Sequence, residues 1–391
     1  MKQNFFLMNN PIKDYDWGSS TLMNEILGIE NEGGTKQAEM WMGNHPNGRS
    51  KVVLNGRLST INHLINSASS SILGENVTKL PFLFKVLAAE KALSIQVHPS
   101  KLKAEKGFKE EELFKIDLNA PDRCFKDDNH KPELVYALSE YHALNGFKGF
   151  VEVLHTFSIM DIPVIRNIVL SAFTHQGEKG LKILFEGVLS LSQDEQSIAV
   201  AHLLDHASKN QDNSVFKLIC ELSVQYPDDI GLFAPIFLNY IVLKRGEAMY
   251  LGAGTPHAYI RGIGLEIMAN SDNVLRAGLT NKHIDVKTLI DCTDFKETKL
   301  EDLLTVPFKD IGNNHYFVPV RDFKFSIMDQ PAGIKNNIKG AEILFCIEEP
   351  AMIQHVNGES ILLKAGESIF IPAYAHQYKV TSIGSVARAF Y

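Results

Sequence analysis

Gly246-Glu-Ala-Met-Tyr-Leu-Gly252-Ala-Gly254-Thr-Pro-His257 and Gly366-Glu-Ser-Ile-Phe-Ile-Pro372-Ala-Tyr-Ala-His376 share one frame. Each runs from a glycine through five residues to a small-residue turn and a histidine, with one residue fewer before the second histidine. Around both, the chain from Phe237 onward carries short alternating runs: Ala248–Gly252, Tyr259–Met268, Tyr316–Val320, Lys324–Asp329, Glu342–Ile347 and Ser360–Pro372. Many short strands with turn signals argue for a sandwich or jelly-roll barrel. The repeated frame implies two β-barrels with related hairpins, the second having lost polar content.

Residues 1–150 have the same texture, punctuated by Gly, Pro and Asn, with Pro81–Ala88 and Ala92–Val97 reading as a hairpin or adjacent strands. Between the β regions the pattern changes. Ser192-Gln-Asp-Glu195 has capping-box spacing ahead of an Ile198, Ala201, Leu204 stripe, and Val215, Leu218, Ile219 and Leu222 recur at helical intervals. Roughly 151–230 reads as helical, closed by Pro227 and Gly231, and it interrupts chemistry drawn from both sides of it. The expected fold class is mainly β with a helical insertion: two jelly-roll barrels plus an α-helical domain. The expected domains are 1–150 with 235–304 as the catalytic barrel, 151–234 as the insertion, and 305–391 as the C-terminal barrel.

A chain of 391 residues buries a core without staples. Its 39 Lys and Arg against 46 Asp and Glu give a net charge of −7, which disfavours nucleic acid and anionic membranes as partners. Four cysteines without C-x-x-C spacing fit neither a zinc ribbon nor a disulfide framework. The apolar stretch Phe5–Met8 is too short for a signal peptide, so the expectation is a soluble, cytoplasmic protein in a reducing compartment.

Gln96 and His98 end a predicted strand and project to the same side, about 6–7 Å apart. Glu133, ahead of the strand Leu134–Ala137, offers a carboxylate, and His257 offers a second imidazole from a Gly-rich turn. Two imidazoles, a carboxylate and an amide oxygen suit a borderline divalent ion such as Zn²⁺. Lys85, Lys101, Lys131, Arg276 and Lys282 flank the same segments, and local cations in an acidic chain suggest an anionic small ligand, phosphate foremost. Asn270-Ser-Asp-Asn273, followed by Arg276 and Gly278, reads as a polar loop with more than a structural role. The segment from about 305 has His355 and His376 but no Q-x-H and no nearby acidic ligand, and reads as structural.

Seven motifs, in order, resemble type I phosphomannose isomerases, zinc-dependent aldose–ketose isomerases of cupin fold. They are Tyr15-Asp-Trp17-Gly18, Ala38-Glu39-Met-Trp41-Met-Gly43-Asn-His45-Pro46, Pro81-Phe-Leu-Phe-Lys85, Ser94-Ile-Gln96-Val-His98-Pro, Asn129-His130-Lys131-Pro132-Glu133, Gly254-Thr-Pro-His257-Ala-Tyr and Asn270-Ser-Asp272-Asn273-Val-Leu-Arg276-Ala-Gly. The resemblance implies a second cupin barrel toward the C-terminus, one Zn²⁺ per chain on Gln96, His98, Glu133 and His257, and Arg276 as the active-site arginine. Lys131, His130, Glu266 and Asp272 would share the catalytic pocket, with Trp17, Lys85 and Lys101 on the substrate side. Ser100 and Asn281 depart from the family pattern at the edge of the phosphate region. The implied reaction interconverts D-mannose 6-phosphate and D-fructose 6-phosphate through a cis-enediol, in a monomer whose only partner is the sugar phosphate. The base stays open among His130, Lys131, Glu266 and Asp272. A non-catalytic cupin sensor would lack the Arg276 and Lys131 cations, and a cupin oxygenase would not need a fourth ligand such as Gln96.

Overall fold

The computed structural model describes residues 3–54, 56–310 and 312–391. Strands occupy both ends of the chain. Between them lie the helices Phe150–Met160, Arg166–His175, Gly177–Leu189, Gln193–Lys209 and Ser214–Gln225, as the periodicity predicts. The Ser192 capping box is formed: the Ser192 Oγ accepts from the Glu195 N–H at 3.4 Å, and the Ser192 N–H donates to the Glu195 carboxylate at 2.9 Å. No helix among the described residues is long and apolar enough to cross a membrane.

The repeated frame is structurally real. The Gly246 N–H donates to Ala137 and the Gly366 N–H to Cys346, both at 2.9 Å. In each turn the glutamate that follows the glycine accepts from the N–H of the lysine three residues before it, Lys244 and Lys364, at 2.8 Å. Both glycines have positive φ (+91° and +76°), which a side chain would strain. Beyond these turns, Leu251 pairs with Glu133 and Ile371 with Glu342, so the two acids hold equivalent registers. Glu342, 2 % exposed, is bonded by Tyr378 and Arg388 rather than by a histidine.

The molecule is mostly sheet with a helical insertion, and the sheets are open. No closed barrel is found among the described residues. One ten-stranded assembly is built around Phe82–Ala89 and the long strand His257–Ala269, and a nine-stranded sheet joins the C-terminal strands to the N-terminal Phe6–Asn9, through Phe6 opposite Phe370. Phe82–Ala89 and Ile95–Val97 form no hairpin, because the former pairs with His257–Ala269 and Glu39–Met42 while the latter pairs with His257–Ala269 and Leu275–Gly278. The expected strand 316–320 ends instead at Tyr316, and 360–372 splits at the Gly366 turn into Ser360–Leu363 and Ser368–Ile371. The sequence reading missed the helix Lys101–Leu113, in which only Ala104 and Gly107 are buried.

One irregularity positions the site. His257–Ala269 carries a bulge opposite Tyr141–Phe147, between the pairs Tyr259 with Ala143 and Arg261 with His142. Ala258 ahead of it and Ile260 at the bulge pack into the helical-insertion core; beyond it, Ile263, Leu265 and Ile267 belong to the other core with Phe84, Phe325 and Phe345. The extra residue shifts the alternation, so His257, Tyr259 and Glu266 serve one interior although 259 and 266 differ by an odd number. Gly262 makes this possible: at φ +119°, a Cβ there would lie 2.6 Å from the Glu140 carbonyl oxygen.

Candidate metal centre

His98 follows the strand Ile95–Val97, Glu133 opens Glu133–Ala137, and His257 opens the long strand. The two histidines are 0 % exposed and Glu133 1 %. One ligand atom from each falls within a 4.8 Å span. His98 Nε2 lies 3.3 Å from Glu133 Oε1 and His257 Nε2 lies 3.5 Å from Oε2. Gln96 stands in register with His257 on one side and Arg276 on the other, so all three share a face at about 5 Å spacing. Ile95 and Val97, on the opposite face, anchor this strand in the helical-insertion core.

The tautomers follow from backbone contacts. His98 Nδ1 lies 2.7 Å from the Asn273 carbonyl and His257 Nδ1 2.8 Å from the Thr255 carbonyl. A carbonyl only accepts, so both Nδ1 atoms carry the proton and both Nε2 atoms present lone pairs. Neither Nε2 has a hydrogen-bond partner, though both are buried. Two imidazole lone pairs facing a carboxylate with no proton between them repel it, and unpaired buried polar atoms are costly. A divalent cation among them relieves both penalties, and two imidazole nitrogens with a carboxylate oxygen suit zinc. Burial, and then the nearby Lys131 ammonium, push the His98 imidazole down to about 4 and keep it neutral for ligation. Burial alone would raise the Glu133 carboxyl, but Lys131 at 2.9 Å and the two imidazoles hold it well below the usual range.

A buried polar chain continues from the ligands. The Tyr259 hydroxyl lies 3.1 Å from Glu133 Oε2 and 2.8 Å from Glu266 Oε1. Lys85 Nζ is 2.9 Å from Glu266 and 3.4 Å from Glu39, and the Trp41 indole N–H donates to Glu39 at 2.7 Å. Burial raises Glu266, against the pull of Lys85. The sequence reading did not single out Tyr259 or Glu39, although Tyr259 stands two residues after His257, hence on its face.

The 270–273 loop is largely scaffold, contrary to its sequence reading. The Asn273 amide donates to the Asp127 and Asn129 carbonyls at 2.8 Å and accepts from the Lys126 N–H at 2.6 Å, while Ser271 donates to Asp127. Asp272 lies 3.2 Å from His45, whose hydrogen bond lowers its carboxyl against the effect of burial. Burial lowers Arg276, with no carboxylate acting on it. Arg276 in turn is the main cause of the lowered Lys282 ammonium, ahead of burial and Lys126. Three cations thus crowd one region. His130 Nε2 lies 2.9 Å from Asp322 Oδ2. Lys101, on the helix Lys101–Leu113, donates to the Asp128 carbonyl, and Trp17 lies beside Tyr15, 5.7 Å between ring centroids, against the cluster that includes Tyr141 and Tyr259.

The chain is similar to known proteins over nearly its whole length. The type I phosphomannose isomerase catalytic-domain family model matches residues 5–150, its helical-insertion model 164–238, and the mannose-6-phosphate isomerase cupin-domain model 313–391. The mannose-6-phosphate isomerase of Escherichia coli (strain K12) is 40% identical over 388 residues, covering 97% of this chain and 98% of that protein. A zinc-bound mannose 6-phosphate isomerase structure aligns with TM-score 0.93 at 38% identity, over 99% of both chains. The Salmonella typhimurium enzyme bound to fructose 6-phosphate and zinc aligns equally well, with TM-score 0.93, 38% identity and 99% of both chains. The donor set, the insertion, the C-terminal cupin domain and these full-length similarities together show that the chain belongs to the type I phosphomannose isomerase family.

Proposed function

We propose that this chain interconverts D-mannose 6-phosphate and D-fructose 6-phosphate, moving a proton between carbons 1 and 2 through a cis-enediol. Support comes from relatives named for that activity and from a solved relative holding fructose 6-phosphate and zinc. The observation that carries the reading is the pair of buried Nε2 lone pairs converging on Glu133. In this reading His98, Glu133 and His257, with Gln96 beside them, hold the zinc, whose Lewis acidity favours negative charge on a sugar oxygen. The catalytic unit is 1–150 with 235–304, interrupted by the 151–234 insertion and followed by 305–391, the two β portions being related jelly-rolls.

Arg276 is a half-buried cation without a carboxylate partner among the described residues, beside Lys282 and in register with Gln96. Such a group suits the sugar-phosphate dianion or the enediolate oxygen, where charge-assisted hydrogen bonds strengthen as water is excluded. Lys282 is a better companion for it than Lys101, which is engaged with Asp128 and lies 3.5 Å from Glu105. Lys85, held between Glu266 and Glu39, keeps those buried acids compensated from below.

Of the four candidate bases, Glu266 is engaged on both oxygens by Lys85 and Tyr259, Asp272 has its basicity lowered by the His45 hydrogen bond, and Lys131 is paired with Glu133. His130 remains. Its Nδ1 makes no hydrogen bond among the described residues, and it is our choice for moving the proton. A coupled assay following fructose 6-phosphate formed from mannose 6-phosphate tests the reading. Turnover supports it, and a zinc-loaded protein that binds the sugar phosphate without turning it over contradicts it.

A further inference from the structure

We infer that Asp322, from the C-terminal cupin domain, is a positioning residue for His130, so that the C-terminal module contributes to the reaction; this rests on His130 as the proton carrier. The Asp322 Oδ2 to His130 Nε2 distance is 2.9 Å, and both side chains are only 21% exposed. Asp322 is separated from His130 by 192 residues. It lies outside the segment matched by the catalytic-domain family model and inside the one matched by the cupin-domain model.

Both partners are held from either side. Phe323, next to Asp322 and 0 % exposed, and Val318, 6 % exposed, pack into the core shared with Phe84 and Leu134. His130 sits between Asn129, whose N–H donates to the Asp127 carboxylate at 2.9 Å, and Pro132, whose carbonyl accepts from the Ala269 N–H at 3.1 Å. No lysine or arginine pairs with Asp322 among the described residues. Tyr250 lies near enough that Asp322 adds to the effect of burial in pushing its phenol up to about 12, so that phenol stays protonated. The imidazole is thus the hydrogen-bond partner of this carboxylate.

The chemistry follows from the contact. A carboxylate accepts from Nε2–H, so in the neutral imidazole the proton sits on Nε2 and the lone pair on Nδ1. The bond selects one tautomer and fixes the ring plane, the role a buried carboxylate plays for a catalytic imidazole in hydrolases. Without it the ring samples both tautomers and other rotamers, which lowers the competent fraction and leaves substrate binding alone.

The test compares zinc-loaded wild type, Asp322→Asn, Asp322→Glu, Asp322→Ala, His130→Ala and the His130→Ala/Asp322→Ala double variant in the coupled assay, with melting temperature and zinc content measured on each. The expected result is a fall in kcat of about 10- to 100-fold in Asp322→Asn and Asp322→Ala, as for loss of an orienting outer partner. KM and zinc content stay unchanged, and Asp322→Glu recovers part of the loss. In the His130→Ala background, removing Asp322 adds no further loss of kcat. An unchanged kcat in Asp322→Ala, or an equal additional loss in the His130→Ala background, overturns the inference. Wild-type protein without isomerase activity would instead sink the functional reading beneath it.

Discussion

At the scale of single residues, the account turns on which groups are left without partners. Gln96, His98, Glu133 and His257 were legible as a set because each stands in or beside a short strand or Gly-rich turn, and together they complete a metal-ligand set that the family motifs also carry. What the sequence did not disclose was tautomer, since that depends on the Asn273 and Thr255 carbonyls reaching the two Nδ1 atoms. Lys282 stood out only as one cation among several; its proximity to Arg276 is a product of folding. We predict that Arg276→Ala yields folded, zinc-loaded protein with turnover reduced roughly 100-fold or more, the usual loss when a donor to developing negative charge is removed. Unaltered turnover would remove Arg276 from the mechanism. A second prediction concerns metal-free protein. The His98 imidazole is held near 4 in the fold, against about 6.5 unfolded, so the unfolded chain binds the extra proton in that window. Stability should therefore fall as pH drops from about 6.5 to about 4, by about 3 kcal/mol, and then cease to change through this group. Urea denaturation across that range should show the slope in wild type and its loss in His98→Gln; equal slopes would contradict the assignment.

At the scale of elements, regular periodicity was readable and irregularity was not. The helices between 150 and 225 announce themselves through apolar stripes and the Ser192 box, whereas Lys101–Leu113 is so polar that its Ser100 cap was the main signal. The hairpin or adjacent pairing expected of Pro81–Ala88 and Ala92–Val97 failed because adjacency in sequence says nothing about a strand inserted from 160 residues later. The bulge in His257–Ala269 was likewise invisible, since Gly262 in a strand can mean many things. Its structural role makes a sharp prediction. Gly262→Ala places a Cβ against the Glu140 carbonyl in a backbone conformation alanine disfavours. The expected cost is about 1–3 kcal/mol from strain alone, with the clash adding to it. Because the bulge keeps His257 and Glu266 on one side, zinc affinity should weaken as well. Chemical denaturation and metal titration of the variant check this, and wild-type values in both would show that the bulge is dispensable.

At the scale of the whole molecule, the two turn glycines mark halves built on one plan with opposite electrostatic solutions. Val135 pairs with Glu266 and Leu344 with Arg388, so Arg388 occupies in the C-terminal half the register that Glu266 holds in the other. The Tyr378 hydroxyl donates to Glu342 at 2.7 Å, as Tyr259 reaches Glu133, and the Arg388 Nε donates to the same Glu342 oxygen at 2.8 Å. A guanidinium thus neutralises the acid that in the other half faces two imidazoles. The repeat was legible in the sequence, but this exchange of partners was not, because strand register creates it. Arg388→Met should leave Glu342 buried and uncompensated, costing about 3–5 kcal/mol, while Arg388→Met with Glu342→Leu recovers most of it. Thermal unfolding of the single and double variants, with zinc content unchanged, would bear this out; a single variant as stable as wild type would not. The central claim, that the His98, Glu133 and His257 cluster binds the ion on which isomerisation depends, is tested most directly by adding zinc back to chelator-stripped protein while recording mannose 6-phosphate turnover. The account predicts negligible activity at the start, a linear rise that breaks at one zinc per chain, and no recovery in His98→Ala or His257→Ala; full turnover by stripped wild-type protein, or recovery in either variant, would contradict it.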